Sequence, residues 1–472
     1  MAVLLALTVF HLSPPHTAGA IAEGIILAVW PILWAIIGAI FAYNIGVATG
    51  NITRIKNMLA GISGDRRVQV LILAWAFSGF MEGAAGYGTA VAIPASILMA
   101  LGFEPVFAAV ICLIGNTAPT AFGAIGIPVI TLAKVTDLHL AQIAPLVALQ
   151  LTPLIIIIPF AMVRLTAEKG EGLKGVWGVT LVAGLSFAAV HYASARWLGP
   201  ELPALFGGIA SLLAIVGWLK LRGRQPAGSV SGLTPTHIGI RDGLVAWSPY
   251  GILFGLILAT STLNPVLNRL LEGVQTRLYL FHGPGATPAV IHWILSPGTL
   301  IILAALSGGW IQGASLPQMV GIFGRTIRQL WKSIVTVMGI VAVAKVMGYS
   351  GMIDNIATGL AQLTGGFYPL LAPALGALGT FVTGSDTSAN ILFGQVQKQT
   401  ALQLGLSPGW LAAANTAGAT AGKMISPQNI AIAATATGLT GREGLIFGRV
   451  LKACLVYILL LGLIVLGAPH PG

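Results

Sequence analysis

Charge is scarce in this chain. Only 8% of its 472 residues are Asp, Glu, Lys or Arg, where a soluble domain carries roughly a quarter. Hydrophobic residues make up 56% and recur in runs close to the roughly 20 residues that a bilayer crossing needs. A soluble globule is excluded, and the lipid bilayer is the expected surrounding. Cysteine is nearly absent. Cys112 and Cys454 each lie inside an apolar stretch, which excludes a disulfide framework or a paired-cysteine metal site. The eight histidines show no HxxxH spacing, so no metal is expected. No His, Cys or acidic residue is spaced to build a nucleophile with its base, so neither enzyme chemistry nor a cofactor is expected. The net charge of +11 is not gathered on one face, which removes nucleic acid as a partner. Met1–Leu12 is apolar and ended by Ser13-Pro14-Pro15. With Ala18-Gly19-Ala20 it mimics a signal peptide, but it lacks the basic start that one needs. It reads as a short first helix.

The apolar runs at 23–48, 143–163, 176–197, 203–219, 247–262, 289–309, 330–349 and 445–467 read as spans. Four further segments are interrupted. Val68–Leu101 breaks at Glu82–Gly88. Pro105–Thr131 is broken by Pro119, Gly123, Gly126 and Pro128. Tyr368–Leu404 breaks at Thr383–Asn390, and Pro408–Ala436 through Gly418–Asn429. If 68–101 and 368–404 are re-entrant hairpins, 17 of the 24 Lys and Arg residues fall on one side and five on the other. That bias puts the rich side in the cytoplasm. Lys345 and Lys423 remain at membrane depth.

The chain also repeats itself. Asn116-Thr117-Ala118 recurs as Asn415-Thr416-Ala417, followed at matching distances by Gly123 and Gly422, then by Pro128 and Pro427. Upstream, Phe80-Met81-Glu82-Gly83 faces Phe381-Val382-Thr383-Gly384. The expected fold is therefore an all-α polytopic membrane protein with two inverted repeats. Each has a re-entrant helical hairpin and a discontinuous transmembrane helix, at 68–131 and 368–436, with the other helices as scaffold in a single transporter domain. Inverted repeats support alternating access.

Irregular backbone survives at membrane depth only where protein or a water-filled site surrounds it, so the four breaks are the candidate site. Gly83 and Ala84 are small enough for backbone to approach a ligand, and Tyr87 lies at the same tip. Ser385, Thr387, Ser388 and Asn390 crowd donors and acceptors into the second tip. Helices starting after such tips aim positive dipole ends inward, which suits a carboxylate. A charge at bilayer depth costs about 2.5–3.5 kcal/mol, which singles out Glu82, Asp386 and Lys423. Asp386 and Glu82 are the candidate proton carriers, although Asp386 could only cap its helix and Glu82 only hold a turn. Lys423 either meets the substrate carboxylate or neutralises Asp386. Lys345 snorkels or pairs with a neighbour. Asn116, Thr117, Asn415, Thr416, Ser426 and Gln428, with Asn429, either bond substrate or cap freed backbone groups. Gly422-Lys423 lacks the upstream glycine and following hydroxyl of a phosphate loop.

Several of these segments resemble the signature of the bacterial lactate permease family. They are Phe80–Gly88, Asn116-Thr117-Ala118-Pro119 through Gly126-Ile127-Pro128, Thr383–Asn390 and Gly422–Gln428. The likeness covers nearly all the chain from about residue 20. It implies proton-coupled uptake of L-lactate, D-lactate or glycolate in the bacterial inner membrane, by elevator-type motion of paired hairpins. Tyr87 stands where Phe is common, and Thr89-Ala90 replaces a small-Pro pair, which bears on substrate preference. The alternatives are a sodium-coupled carboxylate symporter of the same architecture, and a channel. A homodimer is left open.

Overall fold

Two prolines open the first long helix. Ser13 caps α2 (Pro14–Leu27), its Oγ accepting from the His16 N–H at 3.4 Å, and a proline in the first turn has no N–H left to satisfy. The apolar start forms only the short α1 (Ala2–Thr8). The first span thus begins before the expected Glu23, and Ala18-Gly19-Ala20 lies inside a helix. Pro31 disfavours helical backbone at the residue before it. Trp30 is accordingly extended (φ −133°, ψ 120°), and the chain kinks before α3 (Trp34–Ala48). This computed structural model describes all residues except 61, 85, 87, 169–170, 223–239, 261–263, 284–287 and 468–472, and the side chains at 31, 56–60, 240, 258, 297 and 333.

After α4 (Asn51–Ala60), a helical arm is built from α5 (Arg66–Val70), a π-helical stretch over Leu71–Phe77 and α6 (Ser78–Ala84). α7 (Thr89–Ala100) follows the tip. The first broken helix is α8 (Pro105–Gly115), a 3-10 turn at Ala118–Phe122 and α9 (Gly123–Thr136). Three long helices come next: α10 (Leu140–Thr166), α11 (Trp177–Trp197) and α12 (Pro203–Leu221). α13 (Ile240–Thr260) and α14 (Pro265–Glu272) lead into strands β1 (Gln275–Leu278) and β2 (Ala289–His292), an antiparallel pair in which Gln275 faces His292. α15 (Pro297–Ile311), α16 (Leu316–Tyr349) and α17 (Met352–Thr364) precede the second arm, α18 (Tyr368–Thr383). Its partner α19 (Asp386–Gln403) is followed by α20 (Pro408–Ile425), α21 (Pro427–Ala436) and α22 (Glu443–Gly467).

Three expectations need correcting. The run at 289–309 is not one helix, because its first four residues pair with β1. The span expected at 330–349 is the second half of α16, whose segments Leu316–Lys332 and Ile334–Tyr349 meet at a 51° bend. The first half carries Arg325, Arg328 and Lys332, and its charge reads as loop when only hydropathy is followed. Pro408–Ala436 is not interrupted from Gly418. α20 runs unbroken to Ile425 and breaks only at Ser426-Pro427.

The glycines of α20 serve packing instead. A Cβ on Gly418 or Gly422 would strike the backbone carbonyl of Pro373 or Ala377 on α18, and one on Gly376 would strike that of Asn415. Small residues let the two backbones approach closely, the usual way helices associate in lipid. This contact fixes Lys423, the neighbour of Gly422, against the second arm.

Among the described residues seven helices are long and apolar enough to cross a membrane, and the bent α16 makes an eighth. Leu149, Ile157 and Leu165 on α10 and Leu455, Leu459 and Leu463 on α22 point outward and exposed. The chain is a multi-pass, all-α membrane protein, with two short strands among the described residues.

One surface device carries a pH test. Asp65 caps α5 through the Arg67 N–H at 2.9 Å and clamps the Arg67 guanidinium at 2.9 Å. Arg67 in turn donates to the carbonyls of Gly172 and Lys174. Burial works to raise the Asp65 carboxyl, but the bonds from Arg67 win and hold it below its ordinary value of 3.8. The folded chain therefore binds this proton more weakly than the unfolded one. The stabilisation is complete above the ordinary carboxylate range and is lost as pH falls through the lower folded value. Asp65→Asn should lower the melting temperature at pH 7, and the gap to the parent should narrow as pH falls below 3.8 and close once pH passes the lower folded value.

Candidate functional site

The ionisable residues singled out at membrane depth meet at one place. Glu82, from the end of the first arm, is 2% exposed; Asp386, from the first turn of α19, is 3%; Lys423, from the end of α20, is 7%. All three line a cavity of about 70 Å³ together with Gly86, Thr120, Gly123, Ala124, Pro128, Ser385, Thr387, Gln428 and Asn429. A single water needs roughly 10–15 Å³ of such space, so the cavity has room for a small organic anion.

Lys423 bonds neither a free space nor Asp386. Its ammonium sits 2.7 Å from Glu82 Oε1 and 3.2 Å from Thr120 Oγ1. An ammonium has three donors, and these bonds use two. Asn116 Nδ2 donates to the other Glu82 oxygen at 3.0 Å. The ion pair thus joins the first arm and first broken helix to the second. Gly123 makes it possible, because a Cβ there would strike Glu82 Oε1. Gly123→Ala should push Glu82 off Lys423 and cost about 1–3 kcal/mol in stability; a thermal melt checks this, and an unchanged melting temperature would contradict it.

Asp386 is held differently. Thr416 Oγ1 donates to Oδ1 at 3.0 Å, while Oδ2 is buried without a partner among the described residues. Behind Thr416 runs a one-way ladder. Tyr368 OH donates to Gln397 Oε1 (2.8 Å), Gln397 Nε2 to Asn415 Oδ1 (3.2 Å), Asn415 Nδ2 to Asn390 Oδ1 (3.0 Å), and Asn390 Nδ2 to Thr416 Oγ1. The backbone carbonyls of Ala372 and Pro128 receive second bonds from Gln397 and Asn390, at 2.9 and 3.1 Å, which fixes both amide orientations. Every donor points toward Asp386, and bonds so aligned polarise one another.

Helix starts surround the same space. α19 begins at Asp386 and α21 at Pro427, and both caps are serines. Ser385 Oγ accepts the Ser388 N–H, and Ser426 Oγ accepts the Asn429 N–H and side chain. α9 begins at Gly123, and Ala124, Ile125 and Gly126 are all left-handed (φ 43°, 61° and 72°). A non-glycine residue held there costs about 1–3 kcal/mol and marks ligand clamps and switches. Gly384 (φ 75°) turns the second tip, where a Cβ would strike the Gln428 side chain. Positive helix ends around a buried cavity favour an anion.

Of the expected site residues, Glu82, Ser385, Asp386, Thr387, Lys423 and Gln428 line the cavity. Asn116 stands behind it through Glu82. Asn390, Asn415 and Thr416 form the ladder and do not line the cavity, because their polar groups are consumed by one another. Gly83 packs against the Leu205 backbone on α12 and Ala84 is buried away from the cavity. Thr117 turns its hydroxyl back to the Leu113 carbonyl at 2.9 Å. Ser388 and Ser426 serve helix starts. Tyr87 lies outside the described residues. Lys345, at the far end of α16, pairs with Glu23 at 2.7 Å. Sequence reasoning missed Thr120, since its counterpart in the internal repeat is Ala419 and the repeat drew attention only to shared residues.

Comparison with known proteins gives the chain its family. The L-lactate permease family model matches residues 1–469. An L-lactate permease of Streptococcus iniae is 47% identical over 86% of this chain and 85% of its own length. The glycolate permease GlcA of Escherichia coli K12 is 35% identical over 99% and 89%. The L-lactate permease of Bacillus subtilis 168 is 36% identical over 98% and 89%. Among solved structures, the YdaH transporter of Alcanivorax borkumensis aligns with a TM-score of 0.51 at 15% identity, over 94% of this chain and 87% of that one. MtrF of Neisseria gonorrhoeae aligns at 0.50 and 13%, over 94% and 83%. These two likenesses concern the fold alone. With a family model spanning nearly every residue and full-length relatives well above 30% identity, the chain belongs to the L-lactate permease family.

Proposed function

We propose that this chain is a secondary transporter that carries lactate, glycolate and related 2-hydroxy-monocarboxylates together with a proton, by alternating access. The names of the relatives support the substrate class. The observation that carries the mechanism is the pairing of Lys423 with Glu82 beside a carboxyl, Asp386, whose Oδ2 is free.

In this reading an incoming carboxylate takes the third donor of Lys423 and then displaces Glu82, which keeps its bond from Asn116. Ser385, Thr387 and Gln428 border the same cavity and supply partners for the 2-hydroxyl. The proton rides on Asp386 Oδ2. A buried, half-satisfied carboxylate is costly, and protonation turns that oxygen into a donor facing the substrate. Substrate and proton then load as a neutral pair, which crosses low-dielectric surroundings more cheaply than an anion.

The path is read as two hairpins re-entering from opposite sides, an inverted repeat, and a moving unit that includes α9 and α20. A second cavity, of about 480 Å³ and bordered by Arg196, Glu201, Asn268 and Ile125, supports an entrance from the side poorer in Lys and Arg. Ile125 belongs to the left-handed turn whose neighbour Ala124 lines the central site. The Lys- and Arg-rich loops are cytoplasmic in this reading, and the membrane is the bacterial inner membrane.

Counterflow in reconstituted vesicles tests the substrate class. Labelled lactate should exchange saturably against internal lactate or glycolate, and propionate, which lacks the 2-hydroxyl, should compete more weakly. A donor site left unpaired rejects such an analogue strongly. Equal competition by propionate, or preference for a dicarboxylate, would overturn the assignment.

A further inference from the structure

A groove of about 610 Å³ opens between α8, α10 and α22, on the opposite flank of α20 from the candidate site. Met424 lines it, while the adjacent Lys423 lines the central cavity. Its walls are apolar, with Phe107 and Ile114 from α8 and Ile157 from α10. Along α22 the lining residues Gly448, Arg449, Lys452, Ala453, Val456 and Leu460 follow the i, i+3, i+4 spacing of one helix face. Both cations stand at one end of that face, and Ala453, Val456, Tyr457 and Leu460 follow.

The basic end is uncommitted. Arg449 reaches Glu104 only at 3.6 Å, with both side chains more than half exposed (59% and 56%). Such a surface pair holds little energy. Lys452 has no ion-pair partner among the described residues. Gly448 keeps the groove open, since a Cβ there would meet nothing within 4 Å. Glycine inside a helix costs about 1 kcal/mol relative to alanine, and at this position no close contact requires it.

We infer that this groove is a binding site for an anionic phospholipid, with an acyl chain along the apolar wall and the phosphate on Arg449 and Lys452. Charge complementarity selects this occupant, because basic pockets between membrane helices recognise anionic headgroups. The lipid would touch the moving part of the site. Tyr457 lines the groove and its hydroxyl is 2.9 Å from Thr420 Oγ1 on α20. A bound chain therefore braces α20 one turn from Lys423.

Native mass spectrometry of the full chain extracted from membranes containing phosphatidylglycerol and phosphatidylethanolamine tests this. The parent should retain one phosphatidylglycerol in preference to phosphatidylethanolamine. Removing both charges in R449Q/K452Q should weaken retention roughly thirtyfold, at a contribution of about fivefold per basic residue near the membrane surface. Gly448→Leu should abolish it with both charges intact, without lowering the melting temperature. Equal retention of the two lipids by the parent, or unchanged retention in both variants, would overturn the inference. So would a two-chain mass that Gly448→Leu alone dissociates with no lipid present, since the groove would then hold a second copy of the chain.

Discussion

Replacing Lys423 by Met should abolish lactate exchange and destabilise the protein together. The substitution strands Glu82 in a buried site with Asn116 as its remaining partner among the described residues. Breaking a buried pair from one side costs about 3–5 kcal/mol, whereas removing both charges is often nearly neutral. The double variant E82Q/K423M should therefore recover most of the lost melting temperature and still fail to transport, since no cation remains to hold the substrate carboxylate. The two readouts separate structure from function. If the ion pair were only structural, the refolded double variant would exchange lactate at close to the parental rate. A thermal melt in detergent and a counterflow assay on the same preparations decide between these.

Asp386→Asn should leave exchange in place and remove coupling. Asparagine keeps an oxygen for the Thr416 hydroxyl but carries no exchangeable proton. With one proton per lactate, a gradient of one pH unit supports about tenfold accumulation, the ratio that 1.4 kcal/mol provides. The parent should approach that ratio in vesicles that are alkaline inside, while the variant should only equilibrate, at a ratio near one. The Glu82→Gln variant is the control. Tenfold accumulation by D386N with its loss in E82Q would move the proton to Glu82 and leave Asp386 as a helix-start residue.

Much of this arrangement was legible in the sequence, and the reasons differ by element. Breaks near Glu82–Gly88 and Thr383–Asn390 stand out because glycine and polar residues interrupt long apolar runs, a local signal. They are narrower than the polar stretches suggest: Glu82–Ala84 end α6, and only Gly384 and Ser385 separate α18 from α19. The rarity of charge at membrane depth singled out Glu82, Asp386 and Lys423, and all three line one cavity. What spacing could not reveal is who pairs with whom. Lys423 meets Glu82 across 341 residues, while the obvious nearby acid, Asp386, points at Thr416. That choice depends on how α20 packs on α18 through Gly376, Gly418 and Gly422, a tertiary fact. Gly418 and Gly422 read as part of a helix break in sequence, because glycine marks both a turn and a close backbone approach. Asn390, Asn415 and Thr416 looked like substrate contacts since polar residues in an apolar run suggest a ligand. The helix faces turn them toward one another instead, and they satisfy themselves in a ladder that ends on Asp386.

The central claim is that lactate and a proton cross together on a carrier. Its most direct test is proton entry measured during lactate entry, with a pH-sensing dye sealed inside sodium-free vesicles holding the purified chain. External lactate should acidify the lumen in a saturable way, with about one proton per lactate taken up, and K423M should give no signal. Lactate entry without acidification, entry only when sodium is supplied, or flux that rises linearly with concentration without saturating would contradict the account.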